Sequence, residues 1–296
     1  MATVEGIDTY PPMPVVVSVG RSGTTLLRLM LDAHPQLCVP GETGFLLPVF
    51  EVLRSGGELD AAAFADLVTS FHTWPDLATD AGEFVAAVHR LEPFSVSAGT
   101  REFYRAYAAA RGKPRWGDKT PVYGQLVPEL LDVLPEAHLV HIVRDGRDVA
   151  LSLRDTWFSP TEDVAALARI WADQIRTTRQ QAASLRCYTE VRYEDLLAEP
   201  EATLRRICAA VELDFDPLML DYHRDATDRL SEMQDRVLPD GVGLVTQQQR
   251  LHNHRYTSTP PDQSRAGRWR TEMSAAEQDA FVAEAGDLLG DLGYGA

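Results

Sequence analysis

PVVVSVGRSGTTLLRLML, residues 14–31, predicts a buried strand, a glycine-containing turn and a helix. The β-branched run ends at Gly20, and apolar residues recur at helical spacing over 26–31. Pro35 then predicts the end of the helix. A strand, a tight turn and a helix in this order form the opening unit of a nucleotide-binding α/β fold.

The turn at residues 20–25, GRSGTT, has the composition of an oxyanion site. Backbone N–H groups at a helix start point outward, Gly20 and Gly23 permit close approach of a ligand, and Arg21 adds a permanent charge. The turn lacks the lysine of a Walker A loop and the three spaced glycines of a dinucleotide-binding loop. A capped turn without a ligand is the alternative interpretation. Further hydroxyl donors in the turn are Ser22, Thr24 and Thr25.

Three other short runs predict strands, at 137–143, 187–193 and 115–117. The first two lead into helices, one from about Val149 and one through Val211. Strands that alternate with helices indicate a parallel sheet covered by helices on both faces. Ligands of such sheets bind beyond the carboxyl ends of the strands.

Two longer regions lie outside this alternation. Residues 45–111 are mostly helical by pattern and rich in aromatic rings, which either pack in the core or line a pocket. Residues 225–264 are polar and carry glycine and proline, which predicts a long loop region that is either a lid or plain surface. Without an internal repeat or a linker, the chain of 296 residues is predicted to be a single domain.

Composition excludes several classes of protein. The formal net charge is −16, which disfavours general nucleic-acid binding. The three cysteines have no zinc spacing and suggest free thiols in a reducing compartment. Neither a signal peptide nor an apolar run of membrane-spanning length is present, so we expect a cytoplasmic protein without stable membrane insertion.

Residues 15–42 resemble the 5′-phosphosulfate-binding segment of sulfotransferases that use 3′-phosphoadenosine-5′-phosphosulfate (PAPS). The likeness is greatest to the tyrosylprotein-sulfotransferase and bacterial branches, which carry Arg-Ser-Gly-Thr-Thr-Leu in place of the lysine-containing loop of the cytosolic branch. It continues through the Leu-Asp-Ala-His-Pro run at 31–35 to 41–43. Later segments match in the family's order, at 143–148 with Ser152, at 193–196 and at 265–270.

The resemblance implies a P-loop-like parallel sheet with a helical cap and C-terminal lid segments. It assigns a phosphosulfate loop at 20–25, a helical acceptor region at about 45–111 and a late nucleotide-closing segment at about 225–270. PAPS would be the donor and adenosine 3′,5′-bisphosphate (PAP) the product. The residues that the resemblance assigns to this nucleotide are Gly20, Arg21, Ser22, Gly23, Thr24, Thr25, Arg144, Ser152, Tyr193, Arg265, Gly267, Arg268 and Trp269.

The same resemblance nominates the catalytic residues. Glu42 matches the general base of the tyrosylprotein branch, Lys119 matches a lysine that contacts the transferring group, and Arg21 would stabilise charge on the leaving oxygen. A surface glutamate and an ordinary salt bridge are the plain alternatives for the first two. Gly44 stands where the tyrosylprotein branch has a peptide-binding arginine, which favours an acceptor other than protein tyrosine.

Histidines are the other candidates for the base, because the cytosolic branch uses one. His141 lies in a predicted strand and is expected in the core, which leaves His34 and His72. No metal is required by this chemistry. His252-Asn253-His254 is the nearest approach to a metal-binding cluster.

The expected reaction is metal-free in-line transfer of a sulfuryl group from PAPS to a hydroxyl, or less favourably an amine. The acceptor would be a natural product, a lipid, a phenol or a sugar, and a homo-oligomer stays open. The competing hypotheses are a P-loop-type kinase or NTPase and a non-catalytic nucleotide-binding protein.

Overall fold

The computed structural model describes residues 10–237 and 243–295. The predicted opening unit is present as β1, the phosphosulfate loop and α1. In the first half of the chain the strands and helices are β1 (Met13–Val17), α1 (Thr24–Asp32), β2 (Leu37–Cys38), α2 (Leu46–Arg54), α3 (Ala61–Thr69), α4 (Ala81–Val88), α5 (Val96–Ala109), β3 (Arg115–Trp116), β4 (Asp118–Lys119), α6 (Val127–Val133) and β5 (Ala137–Val143).

The second half continues the alternation and then becomes mostly helical. Its elements are α7 (Gly146–Arg154), α8 (Val164–Ala182), β6 (Tyr188–Arg192), α9 (Tyr193–Ala198), α10 (Pro200–Ala210), α11 (Ala226–Leu230), β7 (Arg236–Val237), β8 (Gly243–Val245), α12 (Gln247–Asn253), α13 (Trp269–Glu272) and α14 (Ala275–Asp291). The predicted strand at 137–143 is confirmed at both ends.

The main sheet is parallel, as predicted. Within the described residues its order is β4-β1-β5-β6. The register pairs Val15 with Asp118 in β4 and with Leu139 in β5, and Val143 with Arg192 in β6. Because all these strands run the same way, their carboxyl ends meet at one edge, where the loops after β1, β4, β5 and β6 converge.

Helices cover both faces of the sheet, which also confirms the prediction. Val15 and Val17 of β1 belong to the core beneath the helical region 45–111. Val16 belongs to the core on the opposite face, beneath α1, α9 and α10. This alternation follows from the side-chain period of two along a strand. A third cluster joins α7 and α8 to α14 around Trp171 and Phe281.

The aromatic rings of the region 45–111 lie in the core. Phe103 is the centre of this group, within 4.9 to 6.1 Å of its neighbours by ring centroid. Buried members of the group are Phe45, Phe64, Trp74, Phe84, Phe103, Tyr104 and Tyr107. Of the two interpretations offered by the sequence, core packing is therefore the one that these rings fulfil.

The segment 225–264 differs from the long loop that its composition predicts. It contains α11, the antiparallel pair β7–β8 and α12. A capping box at the start of α12 joins Thr246 to Gln249, and three residues of the segment hydrogen-bond to Asp76. The capping box is local and the contacts to Asp76 are long-range, but neither kind of polar contact requires apolar periodicity, which is why the pattern did not reveal them.

Candidate active site

The phosphosulfate loop has a constrained backbone between β1 and α1. Arg21 adopts a φ of 71° and Gly23 a φ of 91°. A Cβ atom at Gly23 would lie 2.3 Å from the ring of Tyr193, so glycine is required both by conformation and by space. At Gly20 an added Cβ would meet nothing within 4 Å, which leaves open space above the loop. The positive φ at a non-glycine residue such as Arg21 is the strain expected at a binding site.

The start of α1 offers free backbone donors. Gly23 is the N-cap, and within the described part of the chain no side chain caps the helix and no acid lies in its first turn. The first N–H groups therefore stay available for an anion. The Ser22 hydroxyl is fully buried and has no hydrogen-bond partner among the described residues.

Arg21 bridges the loop to two other elements. Its Nε atom donates to Ser152 Oγ at 3.1 Å and its Nη2 atom to the carbonyl of Asn253 at 3.2 Å. Ser152 lies on α7 and Asn253 ends α12. The guanidinium is thus fixed between the segment after β5 and the late segment, where burial and the nearby charge of Arg144 lower its pKa from the usual value.

Arg144 follows the carboxyl end of β5 and closes the same corner. Its Nη1 atom donates to the carbonyl of Arg21 at 3.1 Å and its Nη2 atom to that of Arg265 at 2.7 Å. The guanidinium lies 4.5 Å from the ring centroid of Tyr193. Its Nε atom is buried without a hydrogen-bond partner among the described residues. Arg144 thus keeps an unpartnered donor that is suited to a phosphate or sulfate oxygen.

One cavity of about 780 Å³ joins these groups to the proposed catalytic residues. Its size lies in the range of small-molecule sites. The sequence-predicted residues that line it are Gly20, Arg21, Gly23, Thr24, Thr25, Glu42, Lys119, Arg144, Ser152, Tyr193 and Arg265.

The remaining predicted residues lie elsewhere, and their contacts are structural. Gly267 and Trp269 donate their backbone N–H groups to the carboxylate of Asp148, at 2.7 and 2.9 Å. Arg268 is paired with Glu272 at 2.5 Å. The side chain of Ser22 is fully buried and does not line the cavity. A nucleotide role for Gly267, Arg268 and Trp269 stays a prediction, and none of the three residues lines this cavity.

Glu42 and Lys119 form the other end of the site. Lys119 Nζ donates to Glu42 Oε1 at 2.7 Å, and 52% of the Glu42 side chain is exposed where it lines the cavity. Enclosure by protein would raise the pKa of Glu42, but Lys119, through its charge and its hydrogen bond, reverses this and lowers the pKa. The carboxylate is therefore ionised and able to accept a proton, while its partner lowers its basicity.

A buried network holds the backbone next to Glu42. Thr43 Oγ1 donates to Asp118 Oδ2 at 2.7 Å, and the Tyr104 hydroxyl donates to the same oxygen at 2.9 Å. The Thr43 N–H donates to Thr120 Oγ1 at 3.2 Å. Burial raises the pKa of Asp118 to about 6. Residues on both sides of Lys119 thus fix the segment that carries Glu42.

The three histidines considered from the sequence, His34, His141 and His72, have different surroundings. His34 is saturated, because its Nδ1 atom accepts from the Gln36 N–H and its Nε2 atom contacts the carbonyl of Asp214 at 2.8 Å. His141 is buried against the Tyr188 hydroxyl, as expected for a core residue. His72 lines the cavity and remains a candidate base.

His254 is a site residue that the sequence analysis missed as a candidate base. It lines the cavity directly after Asn253, whose carbonyl accepts from Arg21. Burial and surrounding positive charge lower the pKa of His254 well below its usual range, so the ring is neutral. Those charges belong to Arg21, Lys119, Arg250 and Arg28. The sequence marked this residue only within the His252-Asn253-His254 run and not as a base, since its position depends on the fold of the late segment.

Asp76 was also missed, and it fastens the late segment to the helical region. It is 6% exposed and accepts from the Gln234 N–H at 2.8 Å. Arg236 and Arg250 each contact its Oδ2 atom at 2.7 Å. All three charged side chains line the cavity beside Glu42, so one carboxylate holds two guanidinium groups on the cavity wall.

Neither a metal cluster nor a membrane span is found in 10–237 and 243–295. No group of three or more His, Cys, Asp and Glu side chains there is arranged to hold a metal ion. No helix there combines the length and the apolar character needed to cross a bilayer.

A comparison with family models identifies the family of the chain. Residues 12–217 match the model of the sulfotransferase family. The chain belongs to this family. The resemblance drawn from the sequence is thereby confirmed, and the protein is a sulfotransferase enzyme.

Curated relatives of this sulfotransferase include a bacterial protein and proteins described as protein-tyrosine sulfotransferases. The nodulation protein NoeE of Sinorhizobium fredii is 28% identical, over 96% of this chain and 67% of that protein. A protein described as a putative protein-tyrosine sulfotransferase of Caenorhabditis briggsae is 27% identical, over 73% of this chain and 71% of that one.

Solved structures show the same fold. The sulfotransferase domain of the Synechococcus PCC 7002 olefin synthase has a TM-score of 0.63 at 23% identity, with 95% of this chain and 96% of that one covered. A mouse sulfotransferase in complex with PAP has a TM-score of 0.51 at 14% identity, with 96% and 85% covered. The P-loop-like fold predicted from the sequence is confirmed.

Proposed function

We propose that this sulfotransferase transfers the sulfuryl group of PAPS to a hydroxyl of a small-molecule, lipid or sugar acceptor, with Glu42 as the base. One observation carries the proposal. A single cavity contains the anion-binding start of α1, Arg21 and Arg144 at one end, and the Glu42–Lys119 pair at the other. We call these the donor end and the acceptor end.

The donor end fits a molecule with two anionic groups. The loop and the start of α1 would hold the 5′-phosphosulfate, and Arg144 with Ser152 would hold the 3′-phosphate. The positive φ of Arg21 and the contact of Gly23 with Tyr193 hold the loop in one shape. Preorganised donors of this kind stabilise charge as it develops, without a cost of rearrangement during the reaction.

At the acceptor end, Glu42 would remove the proton of the attacking hydroxyl. The hydroxyl oxygen forms a bond to sulfur while the bond from sulfur to the bridging 5′-phosphate oxygen breaks. The proton passes to the Glu42 carboxylate, and the products are a sulfate ester and PAP. Lys119 contacts Glu42 in the structure and would face the transferring group, where its charge favours the leaving oxygen.

His254 is the competing base. Its ring is neutral because burial, and then the charges of Arg21, Lys119, Arg250 and Arg28, lower its pKa. A donor molecule carrying several negative charges would offset those cations and raise the pKa of the ring. Glu42, in contrast, is already ionised before the donor binds.

Donor binding is the first test. PAP should raise the melting temperature of the protein without magnesium, since a ligand of the native state stabilises it by RT ln(1 + [L]/Kd). A larger shift with ATP that requires magnesium would favour the kinase hypothesis instead. Incubation with labelled PAPS and a mixture of alcohols, phenols and sugars should then yield a labelled ester. PAP binding without turnover of any acceptor would favour the non-catalytic hypothesis.

A further inference from the structure

Exposed apolar side chains are concentrated at the cavity. Of the nine large hydrophobic side chains that are exposed among the described residues, five line it. They are Val122, Trp157, Phe158, Leu244 and Tyr256. Exposed apolar residues scattered singly need no explanation, but a group around one opening marks a surface that a ligand covers.

Four of these side chains form what we call the apolar rim: Val122, Trp157, Phe158 and Leu244. Their exposed fractions lie between 43 and 46%. The Tyr256 ring is different, because Arg255 and Arg265 lie 4.3 and 3.9 Å from its centroid. Among the described residues, no cation lies over the ring of Trp157 or Phe158, and Val122 and Leu244 carry no ring.

The rim is attached to the catalytic elements. Val122 lies three residues after Lys119, in the turn Pro121–Gln125. Trp157 and Phe158 follow the end of α7, which carries Ser152, the hydrogen-bond partner of Arg21. Their ring centroids are 5.3 Å apart at an interplanar angle of 82°. Leu244 lies in β8, next to the Val245 that pairs with Arg236.

The charged wall of the cavity does not extend into this rim. Arg236 and Arg250 are held by Asp76, and Lys119 by Glu42. These carboxylates partly offset the three cations, whereas the rim presents mainly apolar surface.

We infer that the acceptor is an amphipathic alcohol, a hydroxyl on an alkyl chain or aryl ring whose apolar part lies against the apolar rim. This inference rests on the proposed function and narrows its acceptor class. The hydroxyl would reach Glu42, while the chain or ring covers Trp157 and Phe158. Burial of apolar surface would supply the binding free energy, and the hydroxyl would be the group that reacts.

A series of straight-chain primary alcohols from butanol to decanol tests the inference. With PAPS as donor, kcat/KM should rise about fourfold per methylene while the chain still contacts the rim. Trp157→Ala and Phe158→Ala should each reduce kcat/KM for decanol about tenfold and change butanol little. Leu218→Ala is the matched control, because Leu218 is 49% exposed and lies outside the cavity.

A binding measurement makes the test independent of turnover. Decanol should raise the melting temperature of the PAP-saturated wild type and of Leu218→Ala, and should do so less for Trp157→Ala. If PAP stabilises the protein but the dependence on chain length is flat, or identical in all variants, this inference alone is overturned. Faster sulfation of glucose or of a tyrosine peptide than of decanol overturns it as well. If PAP does not stabilise the protein, the proposed function is overturned too.

Discussion

The donor end and the acceptor end of the cavity are built in different ways. At the donor end, each element follows the carboxyl end of a sheet strand: the loop follows β1, Arg144 follows β5 and Tyr193 follows β6. At the acceptor end, Lys119 ends β4, but Glu42 reaches it from a distant segment through an ion pair, and further ion pairs join Asp76 to Arg236 and Arg250. The donor end therefore depends mainly on the sheet, and the acceptor end on the sheet together with long-range ion pairs.

The difference has a consequence for specificity. A strained loop over a parallel sheet holds one shape, which suits a donor that is the same in every reaction. Side chains held by ion pairs, and the exposed residues of the apolar rim, can be substituted with little effect on the packing of the core. Substitutions at the donor end should then affect every acceptor equally, while those at the acceptor end should depend on the acceptor used.

The largest effect is expected at the acceptor end, from Glu42→Gln. This change keeps the size of the side chain and removes the basic carboxylate. A positioned base contributes about 10²–10⁴-fold, so turnover should fall by that factor, more for an alkyl alcohol than for an acidic phenol. Single-turnover rates with PAPS measure the loss, and PAP titration should show nearly unchanged donor affinity.

His254→Gln is the matched control for Glu42→Gln. It should lower turnover less than tenfold if Glu42 is the base. The reverse order of the two losses would assign proton removal to His254. In that case NMR titration of His254 should show a pKa that rises when PAP binds.

At the donor end, Arg21→Ala and Thr25→Ala should reduce turnover about 10²–10³-fold, the usual loss of one oxyanion-stabilising donor. PAP lacks the sulfuryl group, so its affinity should fall less than turnover does. Arg21→Gly separates charge from backbone strain, because glycine adopts the φ of 71° without cost. Equal turnover per bound donor in wild type and Arg21→Ala would exclude the loop from the chemistry.

Asp118 should make the stability of the acceptor end depend on pH. Its pKa is about 6 in the folded protein against 3.8 for an ordinary aspartate. The folded state thus holds this proton more tightly, so unfolding free energy falls as pH rises from about 4 to about 6, by about 3 kcal/mol. Asp118→Asn should remove this decrease, as urea unfolding at a series of pH values would show.

An exposed carboxylate serves as the reference for that experiment. Asp279→Asn on α14 should stay within about 0.5 kcal/mol of the wild type across the series. If wild type and Asp118→Asn show parallel pH profiles, Asp118 does not titrate in this range and the network around Thr43 has another protonation state.

The smallest effect is expected for Arg144→Ala, which tests how the donor end distinguishes nucleotides. Loss of a charged hydrogen-bond partner costs about 1.5–3 kcal/mol. PAP should lose that much affinity, whereas AMP, which lacks the 3′-phosphate, should lose less. Calorimetric titration of both nucleotides measures the difference. Equal losses would mean that Arg144 only joins the carbonyls of Arg21 and Arg265.

The sequence determined the donor end almost completely. The family resemblance assigned Arg144 to the nucleotide. The β-branched runs predicted β1 and β5, and the composition of the turn at 20–25 predicted an oxyanion loop. These features depend on steric limits and hydrophobic periodicity within a few residues. Such features can be recognised in the sequence because the same local pattern both forms the element and places its polar residue at the end of the strand.

At the acceptor end, the family resemblance nominated Glu42 and Lys119, and only the tertiary structure showed which side chains surround them. The aromatic rings of 45–111, which the sequence allowed either to pack in the core or to line a pocket, fill the core, whereas Trp157 and Phe158 are exposed and line the cavity. Asp76 lines the cavity without a motif, and His254 lines it although the sequence did not nominate it as a base. The backbone N–H groups of Gly267 and Trp269 donate to Asp148, and the nucleotide role of these two residues stays a prediction. Which side chains share a cavity depends on packing between segments far apart in the chain, and no local pattern contains that information.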